Sequence, residues 1–172
     1  MKNTLILSAL IAIVASCSPA KEQATLAVVP HPNDVTVHEG AFDASDASVY
    51  YDPALDERSK AAVSRFAEQL FPVSGSKGTL EEGPAKNGII FKLDNRLAHE
   101  EYVLNISEDK VTVKASGLNG FNYAIQTIKQ MLPVEVFGKV AAADKEWTLP
   151  CVKINDAPRF GYRGLHMDVS RH

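Results

Sequence analysis

Pairs of adjacent carboxylates are the residues of this 172-residue chain whose types and spacing best suit acid–base chemistry. Two carboxyl groups in different environments can serve as a general acid and a general base. Candidate pairs lie at Asp56-Glu57, Glu81-Glu82 and Glu100-Glu101. Adjacent acidic residues in loops and at helix starts are usually solvated charges, so these pairs do not by themselves indicate a catalytic site.

Metal, thiol and nucleic-acid chemistry find little support in the sequence. The five histidines lack zinc-site spacing such as H-x-x-x-H, so neither a metal nor another cofactor is predicted. The histidines are His31, His38, His99, His166 and His172. Cys151 lies in the alternating apolar stretch 147–154, which favours a small buried hydrophobic residue over a nucleophile. The net charge of −3, with no basic cluster, gives no electrostatic footprint for nucleic acid.

The C-terminal run Tyr162–His172 is typical of a strand and carries charged side chains at Arg163, Asp168 and Arg171. Because an unpaired strand is a liability at a chain end, we expect this strand to open a domain that continues beyond the chain. Five residues separate Arg163 from Asp168, so on a strand their side chains point to opposite faces. Ion pairs of Arg163 with Asp156 or Asp168, or of Asp168 with Arg171, are the alternative to a binding role.

The N-terminal residues predict export and lipid anchoring. One lysine precedes the apolar run Leu5–Ala15, which is too short to span a bilayer and has the pattern of a secretory signal. Small residues directly before Cys17 resemble a bacterial lipobox; the alternative is an ordinary signal peptide that contains a cysteine. We expect residues 1–16 to be a signal peptide and residues 17–27 a lipidated tether. The predicted location is the cell envelope, at the outer membrane, with the leaflet left open.

Residues 28–155 predict an α+β domain. Two segments have helical periodicity, one from an N-cap at Asp52-Pro53 to a stop at Phe71-Pro72, and one from about Gly120 to Pro133. Each apolar helix face needs a partner, so we expect a small two-layer sandwich with both helices on one face of a mostly antiparallel or mixed sheet. Its strands are predicted by alternation at 35–38, 48–51, 88–93, 101–106, 110–114 and 147–154.

Two stretches resemble family 20 of the glycoside hydrolases, the β-N-acetylhexosaminidases. The run from Asp156 to His172 is similar to the opening of the family's catalytic barrel, D-x-P-R-F-x-x-R-G-h-h-h-D-h-x-R-x-F, up to its final position. The run from Gly117 to Leu132 resembles the helix that closes the family's N-terminal domain. The O-GlcNAc hydrolases of family 84 are less similar, because their barrel opens with R-G-x-x-E-G-F-Y-G, whereas Leu-His-Met-Asp follows the Arg-Gly at 163–164 here.

The resemblance implies that residues 156–172 begin a truncated TIM barrel and that the whole protein removes terminal GlcNAc or GalNAc from glycans or chitin oligomers. In the family, the sugar's 2-acetamido oxygen attacks C1, an aspartate orients it, and the adjacent glutamate protonates the leaving oxygen. We expect that Asp–Glu pair after His172, and therefore no hydrolase activity in this chain alone. Arg163 matches the arginine that contacts the sugar's 3- and 4-hydroxyls, with Asp168 and Arg171 as candidate supporting residues.

A non-catalytic surface lipoprotein, whose α+β domain binds a glycan or a partner protein, is the alternative function. Whether the reading frame continues past His172 discriminates between the two hypotheses. We also expect residues 158–172 to be loosely held, because they lack the sheet partners of a complete barrel.

Overall fold

The computed structural model describes residues 26–167, where the chain forms one mixed seven-stranded sheet and two α-helices. Cys17, Asp168 and Arg171 therefore lie outside the described residues. The helices are α1 (Glu57–Ser74) and α2 (Leu118–Met131), and a short 3-10 helix spans Val134–Phe137. The strands are β1 (Asp34–Asp43), β2 (Val49–Tyr51), β3 (Leu80–Glu82), β4 (Gly88–Leu93), β5 (Tyr102–Ile106), β6 (Lys110–Ala115) and β7 (Thr148–Asp156).

The sheet has an antiparallel half and a parallel half, in the order β1-β7-β5-β6-β4-β2-β3. Strand β7 pairs antiparallel with β1 and β5, and β5 pairs antiparallel with β6 through a turn at 107–110. Strand β4 runs parallel to β6 and β2, and β2 runs parallel to β3. Helix α1 provides the crossover that a parallel connection from β2 requires. The mixed sheet confirms the fold class expected from the sequence.

All six strands predicted for residues 28–155 are present, whereas the strand predicted from Tyr162 onward is not formed over residues 162–167. Its sheet partners would belong to the barrel that this strand is expected to open. The sequence pattern also missed two short elements. Strand β3 has only three residues, two of which are the exposed carboxylates Glu81 and Glu82. The 3-10 helix follows Pro133 and is one turn long. Elements this short contain too few residues to display a period, so hydrophobic alternation cannot reveal them.

The hydrophobic core lies between one face of the sheet and both helices, as predicted. Alternate residues of β5 and β6 are buried against the helices, and α1 and α2 also contact each other. Phe91 on β4 is fully buried and makes edge-to-face contacts with Phe66 of α1 and Phe121 of α2, each with ring centroids 6.0 Å apart. This aromatic trio joins the three elements at the centre of the domain.

Helix α1 starts later and ends later than its sequence pattern predicted. Asp52 instead caps a turn, where its side chain accepts a hydrogen bond from the Ala54 backbone N–H at 2.9 Å. Asp56 is the N-cap, and its Oδ1 accepts from the N–H groups two and three residues on, at 2.9 and 3.1 Å. Pro72 lies within the last turn, where it cannot donate the hydrogen bond that an N–H would make to the carbonyl four residues earlier, and Gly75 (φ 73°) ends the helix in the left-handed conformation.

Replacing Asp56 by alanine is expected to lower the free energy of unfolding by about 0.5–2 kcal/mol, because two N–H groups lose their acceptor. The hydrogen bonds from Ser59 also lower the pKa of the Asp56 carboxyl. The stabilisation from the ionised Asp56 cap is therefore fully present above the ordinary pKa of an aspartate and is lost as the pH falls through the lowered pKa of Asp56. Urea denaturation at neutral and acidic pH measures both effects. Asp109→Ala, in an exposed turn, is the control, and an equal cost for both variants would contradict the assignment of the cap.

No helix in the described part of the chain combines the length and the apolar character that crossing a bilayer requires.

Candidate functional site

The segment after β7 lies beside helix α2, where Arg163 holds it to the domain. Residues 157–167 form no helix or strand. The Arg163 Nη2 donates hydrogen bonds to both carboxylate oxygens of Glu100, at 2.8 and 3.0 Å, and to the hydroxyl of Tyr123 on α2, at 2.9 Å. Its Nη1 donates to the backbone carbonyl of Phe160. We refer to Arg163, Glu100 and Tyr123 as the arginine dock.

The arginine dock is a mutually satisfied set of one cation, one anion and one phenol. The Tyr123 hydroxyl donates to Glu100 Oε1 at 3.0 Å, so this carboxylate accepts from both partners. Hydrogen bonds from Arg163 and then from Tyr123 lower the pKa of Glu100, and the carboxylate in turn raises the pKa of Arg163. Because Glu100 is ionised at neutral pH, it can hold a guanidinium but is unsuited to act as a general acid.

A cleft of about 510 Å³ adjoins the arginine dock, between α2, the segment before β1 and the segment after β7. The Tyr102 hydroxyl at its base lies 2.7 Å from Thr127 Oγ1 and donates more weakly to Asp156 Oδ2 at 3.5 Å. Burial raises the pKa of Tyr102 to about 12, so the phenol stays protonated. The other Asp156 oxygen accepts from the Asn33 backbone N–H at 3.0 Å, which ties the two ends of the domain together.

The structure brings together residues that sequence reasoning had kept apart. Arg163 is the predicted sugar contact, and the structure places its side chain, which is 43% exposed, against the α+β domain. Its carboxylate partner is Glu100, so the alternative expectation of a pair with Asp156 is wrong. Sequence reasoning treated Glu100 as a solvated charge and did not single out Tyr123 at all. The predicted Asp168 lies outside the described residues, as do Arg171 and Cys17.

The other chemically capable residues have structural roles. Asp56 caps α1, and Glu81 and Glu82 lie exposed on β3, as expected for solvated charges. Cys151 is buried, as predicted for a small hydrophobic residue, and burial raises the pKa of its thiol. Within residues 26–167, no three side chains of the metal-ligating types come together.

Removing the charge of Glu100 is expected to free the terminal segment. Glu100→Gln loses the ion pair, so trypsin should cleave after Arg159 and Arg163 several-fold faster than in the unaltered chain. Acidification should also free the segment, because the stabilisation that the ionised Glu100 carboxylate provides is lost as the pH falls through its lowered pKa. Hydrogen exchange of residues 160–167 at several pH values measures the second effect. Glu146→Gln, an exposed change elsewhere, serves as the control; cleavage rates that match across the three proteins contradict the dock.

The comparisons with known proteins identify the family to which this mixed-sheet α+β domain belongs. Residues 25–157 match the family model for glycosyl hydrolase family 20, domain 2. A β-hexosaminidase of Porphyromonas gingivalis is 30% identical over 149 residues, which cover 84% of this chain and 19% of that protein. The chain belongs to glycoside hydrolase family 20.

Other relatives and solved structures agree. A β-hexosaminidase subunit of Dictyostelium discoideum is 26% identical over 99% of this chain and 31% of its own length. The chitobiase of Flavobacterium johnsoniae superposes with a TM-score of 0.65 at 26% identity, covering 84% of this chain and 23% of that one. The family 20 β-N-acetylhexosaminidase of Streptomyces coelicolor shares the fold, with a TM-score of 0.71 at 23% identity over 79% of this chain and 27% of that one. The chain thus spans less than a third of the length of these relatives.

Proposed function

We propose that the chain is the N-terminal region of an exported exo-β-N-acetylhexosaminidase that hydrolyses terminal, non-reducing GlcNAc or GalNAc. The observation that carries this proposal is the match of residues 25–157 to domain 2 of the family, followed by the barrel-opening motif around Arg163. Relatives named as β-hexosaminidases and a diacetylchitobiase support the substrate class. Chitin oligomers and glycans with a terminal N-acetylhexosamine are the proposed substrates.

The proposed reaction is substrate-assisted and retains the anomeric configuration. The 2-acetamido oxygen of the sugar attacks C1 as the C1–O bond to the leaving group breaks, and an oxazolinium ring forms. A glutamic acid protonates the leaving oxygen, and water then opens the ring, with the same carboxylate accepting the water's proton. The aspartate that orients the acetamido group and this glutamate would lie beyond residue 172. The present chain would then be inactive on its own.

Arg163 is the residue of this chain that we assign to substrate. A guanidinium presents a rigid fork of N–H donors, which suits a pair of vicinal hydroxyls such as O3 and O4 of a hexose. In the described structure this fork is engaged by Glu100 and Tyr123. We propose that Arg163 leaves the arginine dock when the strand that carries it pairs within a complete barrel.

Arg163→Lys, made in the complete protein, tests the substrate contact. Lysine keeps the charge but not the fork, and losing one or two hydrogen bonds from a charged donor should lower kcat/KM by roughly 10- to 100-fold. With a substrate that lacks the 4-hydroxyl, the substitution should lower kcat/KM much less, because the unaltered protein already lacks that hydroxyl as a hydrogen-bond partner. If both substrates lose the same factor, Arg163 has another role. Arg65→Lys, on helix α1, is the matched control.

The mechanism itself is tested by a change of substrate. An aryl β-N-acetylglucosaminide carries the acetamido nucleophile, and the aryl β-glucoside replaces it by a hydroxyl. The complete protein should hydrolyse the first and leave the second essentially untouched. Comparable rates on both would indicate an enzymic carboxylate nucleophile and would overturn substrate assistance.

We also propose that Cys17 carries the lipid anchor that holds the protein at the cell envelope. The apolar run before it, and the small residues directly preceding it, support this proposal. Labelled fatty acid should be incorporated into the protein and lost in Cys17→Ser. Equal labelling of both forms, or a soluble unaltered protein, would contradict the anchor.

A further inference from the structure

The sheet face that points away from the helices carries a group of lysines. On β6, Val111 and Val113 point into the core, so the residues that alternate with them point outward. Asn105 of β5 pairs with Thr112 of β6 and with Lys153 of β7, so Lys153 lies on the same outer face as Thr112. The lysine face consists of Lys92, Lys110, Lys114 and Lys153.

The lysine face concentrates positive charge on a chain whose net charge is −3. Lys92 and Lys114 are direct neighbours in the parallel register of β4 and β6. Like charges at neighbouring positions of a sheet are destabilising, so this pair opposes folding unless an anion is close. In residues 26–167, none of the four lysines forms an ion pair, and all except the half-buried Lys114 are exposed.

Most carboxylates near the lysine face lie at its margins or are already engaged. Glu108, in the turn before Lys110, is the exception, because it lies close enough to Cys151 of β7 to add to the effect of burial in raising the pKa of that thiol. Asp94 follows β4, and the guanidinium of Arg96 holds it through two hydrogen bonds, at 2.8 and 2.7 Å. Arg96, with a weaker contribution from Lys114, lowers the pKa of Asp94 to about 2. Asp34 and Glu81 lie on the two edge strands, β1 and β3. The outward positions of β4, β5, β6 and β7 hold the four lysines and the polar Asn105 and Thr112 beside the aliphatic Ile90 and Val103, and these strand positions carry no carboxylate.

The shape and composition of the lysine face favour a membrane surface over a sugar chain. The outward positions between the lysines are polar or aliphatic, including Asn105 and Thr112. Tyr50, the aromatic residue in the same cross-strand row, lies on β2 toward the margin. Sugar-binding surfaces commonly use aromatic rings as apolar contacts, and these central strands offer none outward. A flat group of lysines suits a layer of anionic headgroups, to which each ammonium contributes independently.

We propose that the lysine face docks the domain on the anionic headgroups of the envelope membrane. This inference deepens the proposed anchoring at Cys17, since the ten residues from there to Leu26 can span at most roughly 35 Å. A lipid anchor alone would leave the domain free to rotate above the bilayer. Docking through the lysine face turns the opposite side, with the helices and the arginine dock, away from the membrane. A catalytic barrel on that side would face soluble glycans.

Vesicle co-sedimentation tests the lysine face separately from the lipid anchor and from catalysis. The chain from Ser18 onward lacks the acylated cysteine but keeps every described residue, and hence the complete hydrophobic core. It should sediment with vesicles of phosphatidylcholine and phosphatidylglycerol, and not with phosphatidylcholine alone. Binding should weaken as salt is raised, because the attraction is electrostatic.

Matched charge variants decide whether the lysine face is responsible. The double variant K92Q/K114Q should bind the anionic vesicles roughly tenfold more weakly or worse, since each lysine contributes independently near the surface. The double variant K77Q/K139Q has the same net charge and removes exposed lysines elsewhere, so it should bind nearly as well as the unaltered chain. Circular dichroism and urea denaturation show that both variants are folded.

Three results would overturn the proposal. Equal binding of both double variants would show that net charge, rather than this face, is responsible. Sedimentation with neither kind of vesicle would exclude membrane docking. Retention on heparin without binding to vesicles would assign the face to an anionic polysaccharide. Each of these results leaves the proposed hydrolase activity and the acylation of Cys17 unaffected, so the failure of one proposal is distinguishable from failure of the other.

Discussion

Truncating Phe91 to alanine is expected to lower the free energy of unfolding by about 3–5 kcal/mol, the largest effect of any single change considered. The ring is fully buried, and it contacts Phe66 of α1 and Phe121 of α2 edge to face. Its removal opens a cavity where the sheet meets both helices, in addition to losing the transfer free energy of the ring. Because a small domain has only about 5–15 kcal/mol of net stability, this variant should be near the limit of folding.

Urea denaturation followed by circular dichroism measures the loss. Phe91→Leu keeps most of the volume and should cost much less, which separates a cavity from a general intolerance of substitution. Phe137→Ala is the control, because Phe137 is 55% exposed on the 3-10 helix. If Phe91→Ala costs no more than Phe137→Ala, the packing of both helices on this strand is wrong.

Adding one methyl group at Gly120 is expected to destabilise the domain by about 1–3 kcal/mol, although the same change normally stabilises a helix. Gly120 lies in the first turn of α2, where the helix approaches the sheet closely. A Cβ there would collide with the backbone carbonyl of Glu101 and would lie 2.8 Å from the Cβ of Ala115. Ala115 pairs with Tyr102 in the β5–β6 register, and Glu101 directly precedes Tyr102, so the helix itself would have to move.

The sign of the Gly120→Ala effect is the decisive result. A stabilisation of about 1 kcal/mol would show that helix propensity dominates and that α2 is not in close contact with the strands. Gly161→Ala provides the matched control, because a Cβ at Gly161 meets nothing within 4 Å. The shift of α2 should also disturb Tyr123 in the next turn, so trypsin cleavage at Arg163 should accelerate in the Gly120 variant.

Helices and strands could be predicted from the sequence wherever burial of one face gives their apolar residues a regular spacing. Strand β4 was predicted at 88–93, and its observed bounds are the same. The helical spacing of apolar residues predicted α2, and Pro133 predicted where it ends. The start of α1 was misplaced because Asp52 and Asp56 are both acceptable caps in sequence, and only the hydrogen bonds distinguish a turn from a helix start.

Much less of the candidate site could be predicted from the sequence. Arg163 stood out through its motif, but its partners are separated from it by 63 and 40 residues along the chain. No local pattern pairs residues at such distances, since the pairing depends on how the segment after β7 crosses α2. Glu100 was set aside as a solvated charge for the same reason. Tyr102, Thr127 and Asp156 meet in the cleft only because three different elements converge there.

The most direct test of the central claim is an assay on an aryl β-N-acetylglucosaminide. The protein encoded by the reading frame continued past His172 would be compared with the 172-residue chain at equal concentration. We predict hydrolysis by the longer protein and none by the 172-residue chain, as expected for an accessory domain whose catalytic pair lies elsewhere. A reading frame that stops at His172, or a longer protein that is folded and inactive, would contradict the hydrolase proposal and favour a glycan-binding or protein-binding surface domain.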